Sequence, residues 1–424
     1  MNYNNPYNFT YLDKLIHGEH KELELEHDIT IEEGEKEKFS EGITVDVNDI
    51  EINGNGYSID SQGLTRIFKT TGKNITLKNI TFKNGYSKDS GAAIANVGSV
   101  KIYNSNFTDN IAEVDGGAVY NDINGTMTIQ DSILSNNSAL TDGGAIFNWG
   151  NLTIKCSVIE ENLSWEDAGA IHNGGLTHKT STINELEHYM DIDLSNVKVL
   201  IEDTIIRHNT GNHSGGGIIN WATLDIKNST FQDNATTERG GAVNNQANGI
   251  VTITDSNLIF NKAYFTGGAI NNQKNGTIII TDSKIENNTT RGYGGTISNR
   301  GLIEINKSTF HHNIAIPNGG VIYNSGQANI NKSIFGYNKA HENGGAILNS
   351  GHVNINNSLF KENTANHWGD SIYNIEGKIS LTDTEIMNDI ANSEENLIES
   401  IHNNKGSIII MDTQNPTINV YTRE

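Results

Sequence analysis

Apolar and polar residues alternate within short segments that recur from about residue 91 to about residue 389. One such unit is Gly344–Asn363, GGAILNSGHVNINNSLFKEN, in which the apolar Val353 and Ile355 flank the polar Asn354. A period of two with β-branched residues is typical of β-strands, and no segment of the unit shows the 3.6-residue period of a helix. The pattern therefore predicts about three short strands, joined by turns, in each unit.

Two sequence elements define the repeat. The first, GG-x-[IV]-x-N, ends for example at Asn324 and Asn349, and the second, S-x-[FIL]-x-x-N, ends at Asn338 and Asn363. Equivalent residues lie 25 or 27 residues apart in most of the chain. This period is typical of solenoids, in which each repeat forms one rung and stacks on the next.

Stacked rungs place equivalent residues above one another, about 4.8 Å apart. One column of branched residues, which contains Ile347, and one of branched and aromatic residues, which contains Phe360, are predicted to line the interior. The Asn residues that end the two elements are predicted to form internal ladders of amide hydrogen bonds, as stacked Asn do in cross-β assemblies. They include Asn121, Asn148, Asn220, Asn245, Asn272, Asn299, Asn324 and Asn349 of the first element and Asn313, Asn338 and Asn363 of the second.

Parallel strands joined by crossovers are overwhelmingly right-handed. The predicted fold is therefore all-β, a right-handed parallel β-helix with about eleven regular rungs and degenerate rungs at its ends. We expect residues 1–40 to form an N-terminal cap with a short helix, and residues 41–389 to form the β-helix. Residues 390–424 are expected to form a last rung and cap, and an insertion at about 174–197 interrupts the repeats.

Composition narrows the kind of partner. The 424 residues carry a formal net charge of −22, which speaks against binding nucleic acid or an anionic membrane by charge. A cation or a neutral partner such as a glycan is easier to accommodate. The longest apolar run, Ile408–Met411, is too short for membrane insertion, and residues 1–20 lack the apolar core of a signal peptide.

The insertion predicts one binding site. Trp149 and Trp221 each follow a ladder Asn in the rungs on either side of the insertion, about 10 Å apart. Together with His188 and Tyr189 of the insertion, they would form an aromatic platform for a sugar ring. The alternative is that both tryptophans pack beneath a short helix of the insertion, which the S/T-x-x-E form of residues 182–185 indicates.

The residue before each Gly pair predicts a second site. It varies between rungs more than any other column, so we expect a solvent-exposed edge. In three successive rungs it is an aspartate, Asp115, Asp142 and Asp167. Such carboxylates repel one another unless a cation lies between them, and oxygen-rich acidic clusters suit Ca²⁺. The alternative is a solvated acidic edge without metal, and no other cofactor is expected.

Two further features are interpreted as structural. Cys156 occupies a column that elsewhere holds Asn104 or Asp131, which indicates a turn residue and not a nucleophile. His311 and His312 have no partner at a metal-ligand spacing, and they are expected at the surface.

The GGA[IV]xN and FxxN elements resemble the repeats of the polymorphic outer-membrane protein family. The opening INGNGYSID, followed by NITLKNITFKNG, is more similar still to Asn/Thr-rich adhesin-like surface proteins of methanogenic archaea. Over residues 41–389 the resemblance implies a solenoid of the pectate-lyase-like kind, located at the cell surface or outside the cell, with a role in adhesion. From this sequence we expect no signal peptide, autotransporter barrel or anchor.

Two functions of different classes are consistent with these features. The first is a non-catalytic adhesin-like or structural protein that binds a glycan or another surface component, such as a protein. The alternative is a polysaccharide lyase or glycoside hydrolase that acts on the exterior of the β-helix, because stacked aspartates meet the roughly 5–10 Å carboxylate spacing of glycosidases. The chain lacks the paired-aspartate, G-H-G and R-x-K signatures of pectin-degrading families, so we expect no enzymatic activity.

Overall fold

The computed structural model describes residues 6–175, 193–387, 400–411 and 420–423. The chain divides into two compact units, one formed by Met1–His213 with Gly217–Leu224 and the other by Ser214–Gly216 with Asp225–Glu424. The predicted fold class is confirmed, because the described residues form a right-handed parallel β-helix. The division between the units falls inside the repeats.

Each regular rung contains four strands, one more than predicted. In the rung that begins at Gly116, the strands are Val119–Asn121, Thr126–Gln130, Ile133–Ser135 and Ser138–Ala139. We number the sheets to which they belong 1 to 4, in this order. The fourth strand has only two residues, so the sequence contains too little alternation to distinguish it from a turn.

The first unit begins with the helix Phe9–Ile16, and its described residues also contain the 3₁₀ helices Glu33–Glu35 and Leu194–Asn196. Its sheet 1 contains Ile43–Val45, Phe68–Thr70, Ile94–Asn96, Val119–Asn121, Ile146–Asn148, Ile171–Asn173 and Ile218–Asn220. Sheet 2 contains Glu22–Glu24, Glu51–Asn53, Ile75–Lys78, Ser99–Tyr103, Thr126–Gln130, Asn151–Lys155, Lys198–Glu202 and Thr223–Lys227, within which the chain passes into the second unit. Sheet 3 contains Ile29–Thr30, Ser58–Asp60, Thr81–Lys83, Asn106–Thr108, Ile133–Ser135, Val158–Glu160 and Ile205–Arg207. Sheet 4 contains Tyr86–Ser87, Ile111–Ala112, Ser138–Ala139, Leu163–Ser164 and Thr210–Gly211.

The second unit repeats this arrangement. Its sheet 1 contains Val243–Asn245, Ile270–Asn272, Ile297–Asn299, Ile322–Asn324, Ile347–Asn349, Ile372–Asn374, Ile401–Asn404 and Val420–Arg423. Sheet 2 contains Ile250–Thr254, Thr277–Thr281, Leu302–Asn306, Gln327–Asn331, His352–Asn356, Lys378–Thr382 and Ser407–Met411. Sheet 3 contains Thr230–Gln232, Asn257–Ile259, Lys284–Glu286, Thr309–His311, Ile334–Gly336, Leu359–Lys361 and Glu385–Met387. Sheet 4 contains Ala235–Thr236, Lys262–Ala263, Thr289–Thr290, Ile314–Ala315, Lys339–Ala340 and Thr364–Ala365.

The rungs stack in the predicted register. Ile322 pairs with Ile347 in sheet 1, and Phe335 pairs with Phe360 in sheet 3. Ile347 and Phe360 are both fully buried, and the rings of Phe335 and Phe360 stack with their centroids 4.8 Å apart. The apolar columns therefore form the interior, as the alternation predicts.

Both Asn ladders are confirmed. In the first, the Nδ2 of Asn324 donates to the Oδ1 of Asn349 at 2.9 Å. In the second, the Nδ2 of Asn313 donates to the Oδ1 of Asn338 at 3.0 Å, and that same oxygen accepts the backbone N–H of Asn313, also at 3.0 Å. Since these amides are fully buried, their mutual hydrogen bonds offset a desolvation cost that would otherwise be large.

A third ladder, which sequence analysis did not identify, lies at the turn between sheets 2 and 3. The Oγ of Ser308 accepts the backbone N–H of Ser283 at 3.2 Å, one rung away. The residue before each such serine has a positive φ, for example +49° at Asp282 and +48° at Cys156. Asn and Asp adopt this left-handed conformation more readily than other non-glycine residues. Cys156, with its exposed thiol, is therefore a turn residue, as predicted.

The helix Phe9–Ile16 covers one end of the first unit. Its residues Phe9, Leu12 and Ile16 are fully buried, and the Glu35 carboxylate accepts backbone N–H groups at its N-terminus. Such a cap shields the interior that an open solenoid end would expose. No helix among the described residues combines the length and the apolarity needed to cross a membrane.

Candidate binding surface at the pre-glycine corner

We define the pre-glycine corner as the three residues between the sheet 4 strand and the Gly pair of each rung, such as residues 264–266. The glycine that follows, Gly267, has a φ of +61°, a conformation that side-chain-bearing residues rarely adopt. A Cβ atom on Gly268 would lie only 2.2 Å from the carbonyl oxygen of Gly295 in the next rung. The glycines therefore fix the backbone of the corner, whereas its three side chains differ from rung to rung.

The aspartates of the first unit lie at the corner but are not the exposed edge that was expected. Asp115 is 5% exposed and Asp142 is 0% exposed. The Oδ1 of Asp115 accepts the backbone N–H of Asp142 at 3.3 Å, and the Oδ1 of Asp142 accepts that of Asp167 at 3.0 Å. Each carboxylate thus bonds the backbone of the following rung, which draws it beneath the surface. The expectation of a solvent-exposed edge is wrong for these two residues.

These hydrogen bonds bear on the predicted Ca²⁺ site. The Asp115 carboxylate also accepts the hydroxyl of Thr141. No group of three His, Cys, Asp or Glu side chains within the described ranges has an arrangement that could hold a metal ion. Ca²⁺ binding by the three aspartates stays a prediction, which calorimetry with Ca²⁺ on the wild type and on Asp142→Asn tests.

A histidine that sequence analysis did not single out lies beside Asp142. The Nδ1 of His172 is 3.9 Å from the Oδ2 of Asp142, and both side chains are fully buried. The imidazole also stacks on Phe147, with centroids 4.6 Å apart. His172 is the middle residue of its sheet 1 strand, where the repeat allows many residue types, so nothing in the pattern marked it.

The two tryptophans have the predicted register. The backbone N–H of Trp149 donates to Asn121 at 2.8 Å, and that of Trp221 donates to Asn173 at 3.0 Å. Trp149 is only 5% exposed, and a Cβ atom on Gly175 would meet the Trp221 ring at 2.1 Å. Both rings are therefore packed against neighbouring residues, whereas the helix of residues 182–185, beneath which the alternative places them, lies outside the described residues. His188 and Tyr189 lie outside the described residues.

The histidine pair lies on sheet 3 and the turn that follows it. His312 is exposed, and its ring stacks on that of Tyr337 at 5.3 Å. His311 is partly buried, against the expectation of a surface residue. Desolvation lowers the pKa of its imidazole, and the nearby Glu286 carboxylate opposes this shift.

An exposed aromatic cluster lies at the corner of the second unit. Tyr264 is 48% exposed, Phe265 is 54% exposed and Tyr293 is 44% exposed. The rings of Tyr264 and Phe265 meet edge to face, with centroids 5.2 Å apart, and Tyr293 lies 5.0 Å from Tyr323 of sheet 1. The backbone N–H of Tyr293 donates to Phe265 at 3.1 Å, so the cluster spans neighbouring rungs.

Three cationic side chains accompany this cluster. Arg239 and Arg291 belong to the corners of the two rungs on either side of the Tyr264 rung, and Lys262 belongs to the sheet 4 strand that leads to Tyr264. The guanidinium carbon of Arg291 lies 5.3 Å from the centroid of the Tyr264 ring. Within the part of the chain that the structure describes, none of the three forms an ion pair. The aromatic cluster and these cations together form the candidate binding surface.

Sequence analysis missed this surface although the sequence contained a signal. Only the last residue of each corner was compared between rungs. A comparison of all three positions would have aligned Tyr264 with Arg291 and Thr266 with Tyr293, in neighbouring rungs whose corners contain no aspartate.

Comparison with known proteins supports the repeat type. Residues 104–122 and 131–148 match the Chlamydia polymorphic membrane protein repeat. No curated protein sequence has significant similarity to the chain, and none of these findings supports the resemblance to archaeal adhesin-like proteins.

Several solved structures are similar in fold. PfbA, a surface adhesin of Streptococcus pneumoniae, is 14% identical with a TM-score of 0.38, over 88% of this chain and 87% of that chain. The alginate lyase AlyF-OU02, in complex with G6, is 13% identical with a TM-score of 0.41, over 98% and 85%. A PL6 alginate lyase with a trisaccharide is 11% identical with a TM-score of 0.37, over 95% and 82%. In sequence, residues 104–122 and 131–148 are therefore similar to repeats of the polymorphic membrane protein type.

Proposed function

We propose that this chain is a non-catalytic, adhesin-like protein of the cell surface, and that it binds glycan through the candidate binding surface of the second unit. The exposure of Tyr264, Phe265 and Tyr293 on neighbouring rungs carries the proposal. Large aromatic side chains left in water forgo about 1.5–3 kcal/mol each of burial. An exposed cluster of such side chains on neighbouring rungs is typical of a binding site.

The aromatic faces suit sugar rings. A pyranose presents a face of C–H groups that packs on the electron-rich face of an aromatic ring, while its hydroxyls stay in contact with water. Successive rungs are about 4.8 Å apart, which is close to the length of one sugar residue in an extended chain. Tyr264 and Tyr293 lie on successive rungs, so they are placed to contact neighbouring sugars.

The repeat type supports a surface location. The matched repeat is that of a membrane protein family, and the β-helix presents its variable corner to solvent in the second unit. Fractionation of cells with an antibody to this chain tests the location, and recovery from the cytosol alone would contradict it.

Glycan binding is tested by screening the purified chain on a glycan array and measuring the affinity for each hit by calorimetry. The variant Tyr264→Ala/Phe265→Ala/Tyr293→Ala is expected to weaken binding at least about tenfold, which corresponds to 1.4 kcal/mol. The matched control is Phe260→Asn, which removes an exposed aromatic from another turn of the second unit while suiting its φ of +58°. Unchanged affinity in the triple variant, or no glycan bound by the wild type, would contradict the proposal.

Polysaccharide cleavage is the second candidate, and the Asp142–His172 pair is the observation that favours it. A carboxylate beside an imidazole is a common arrangement for proton transfer. Both groups are fully buried, so a substrate in solvent does not reach them in this arrangement. Release of reducing sugar or unsaturated product from a polysaccharide panel, abolished by Asp142→Asn, would establish this candidate over the first.

A further inference from the structure

We infer that the glycan bound at the candidate binding surface is an acidic oligosaccharide, whose carboxylates pair with Arg239 and Arg291 while its rings stack on Tyr264 and Tyr293. This inference rests on the proposed function and names the class of its ligand.

The charges at the surface carry the first step. The chain has 51 acidic and 29 basic residues, so its basic side chains have carboxylates available in excess. Arg207, for example, pairs with Glu160 at 2.7 Å. Arg239 and Arg291 nevertheless form no ion pair with any described residue. Guanidinium groups bind carboxylates through two parallel hydrogen bonds, and both arginines are free to do so with a ligand.

The positions of the side chains give the second step. Arg239, Thr266 and Tyr293 are the third corner residues of three successive rungs. Parallel bridges pair Arg239 with Thr266, and Thr266 with Tyr293. In the first column, Tyr264 lies one rung from Arg291, whose guanidinium is 5.3 Å from its ring. Arg239 and Arg291 are two rungs apart, about 10 Å. An extended oligosaccharide that crosses the rungs would thus meet an arginine at each end of the aromatic cluster.

The surrounding negative charge does not prevent this contact. Glu238 is the one carboxylate among corner residues 237–239, 264–266 and 291–293. The net charge of −22 acts over a longer range, and salt screens it beyond about 8 Å at physiological ionic strength. Contact with the ligand therefore depends on the local side chains, among which cations outnumber the carboxylate.

Calorimetry with matched probes tests the inference. The acidic probes are tetra- to hexasaccharides of galacturonic or mannuronic acid, and the neutral probes are the same oligosaccharides with their carboxyl groups reduced. Arg239→Gln/Arg291→Gln is expected to weaken binding of the acidic probes at least about tenfold and binding of the neutral probes by a smaller factor. Arg300→Gln, an exposed arginine elsewhere in the second unit, is the control and should change neither.

The outcomes separate the inference from the proposed function. Equal affinity of wild type for acidic and reduced probes, or full affinity of the double arginine variant for the acidic probes, would overturn the inference and leave glycan binding intact. Equal binding of polyglutamate would also overturn it, because recognition would then require only charge. If the triple aromatic variant kept all binding, or no probe bound, the proposed function would fail as well.

Discussion

The pre-glycine corner has the same backbone in both units but different surroundings. In the first unit, Asp115 and Asp142 are buried and bond the next rung. In the second, Tyr264 and Phe265 are exposed. Asn318 of the second unit is buried, and its side chain accepts the backbone N–H of Asn343 at 3.0 Å. The type of side chain, and not the unit, therefore determines whether a corner residue is buried.

This comparison shows how one position serves both structure and binding. A short side chain with an oxygen reaches the amide of the following rung and supports the stack. A side chain without such an acceptor, as in Phe265, makes no such bond. Because the Asn ladders and apolar columns already stabilise each rung, the corner is free to acquire side chains for a ligand.

The largest effect is expected where the two corners are identical. A Cβ atom added to Gly144 would lie 2.3 Å from the carbonyl oxygen of Gly169, and one added to Gly268 would lie 2.2 Å from the carbonyl oxygen of Gly295. Gly144→Ala and Gly268→Ala should each destabilise the protein by about 3 kcal/mol, because the following rung must move. Thermal unfolding and limited proteolysis measure the loss. Gly34→Ala, which meets nothing within 4 Å, is the control, and tolerance of either corner substitution would contradict a shared backbone constraint.

The second largest effect is a difference in stability loss between a buried corner residue, Asp142, and an exposed one, Tyr264. Asp142→Ala leaves the partly buried backbone N–H of Asp167 without this acceptor and should cost about 1–2 kcal/mol. Tyr264→Ala removes an exposed side chain and should change stability by less than about 0.5 kcal/mol. Urea unfolding of both variants measures the contrast, with Asp142→Asn as the control that keeps an acceptor oxygen. Equal losses in the two variants would show that burial of the side chain is not what separates these two corner positions.

A third effect is a different pH response in the two units. Desolvation lowers the pKa of the His311 imidazole below 6.5; the Glu286 carboxylate opposes this shift, and the positive charges of His312 and Lys284 add to it. A histidine whose folded pKa is lowered loses stability as the pH falls below 6.5 and through its folded pKa. Asp28 of the first unit accepts hydrogen bonds from Ser58, which lower its pKa below 3.8, so its stabilising contribution is lost only below pH 3.8.

Chemical unfolding followed by hydrogen exchange at several pH values tests this prediction, because exchange assigns the loss to one unit. Between pH 6.5 and pH 4 the second unit should weaken, and His311→Gln should remove that part of the decline. A decline of equal size in the variant would show that other groups are responsible.

The repeated parts of the fold were predictable because each column is sampled many times. Ile347, Phe360 and the ladder Asn349 could be assigned to the interior before the structure, since only burial in register explains their recurrence. The Ser308 column recurs equally well, but its hydrogen bond runs from a backbone amide to a hydroxyl one rung away. Such a bond leaves no mark in the sequence beyond the serine itself.

The corner was harder to predict because its residues do not recur. Variation between rungs was taken as evidence of solvent exposure, but Asp142 is buried since its carboxylate accepts an amide of the next rung. The pairing of His172 with Asp142 does not follow from a column, because it joins different columns of adjacent rungs. Contacts of that kind require coordinates.

The smallest effect concerns the turn that both units share between sheets 2 and 3. Cys156 of the first unit and Lys307 of the second each hold a φ of +48°, where most other rungs carry Asn or Asp. Because Asn tolerates the left-handed region better than Cys or Lys, Cys156→Asn and Lys307→Asn should each stabilise the protein by about 0.5 kcal/mol. Thermal unfolding measures the gain, and Asn228→Lys, at a φ of +43°, should reverse it. A gain in only one unit would mean that the turns, like the corners, differ in their surroundings despite a common backbone.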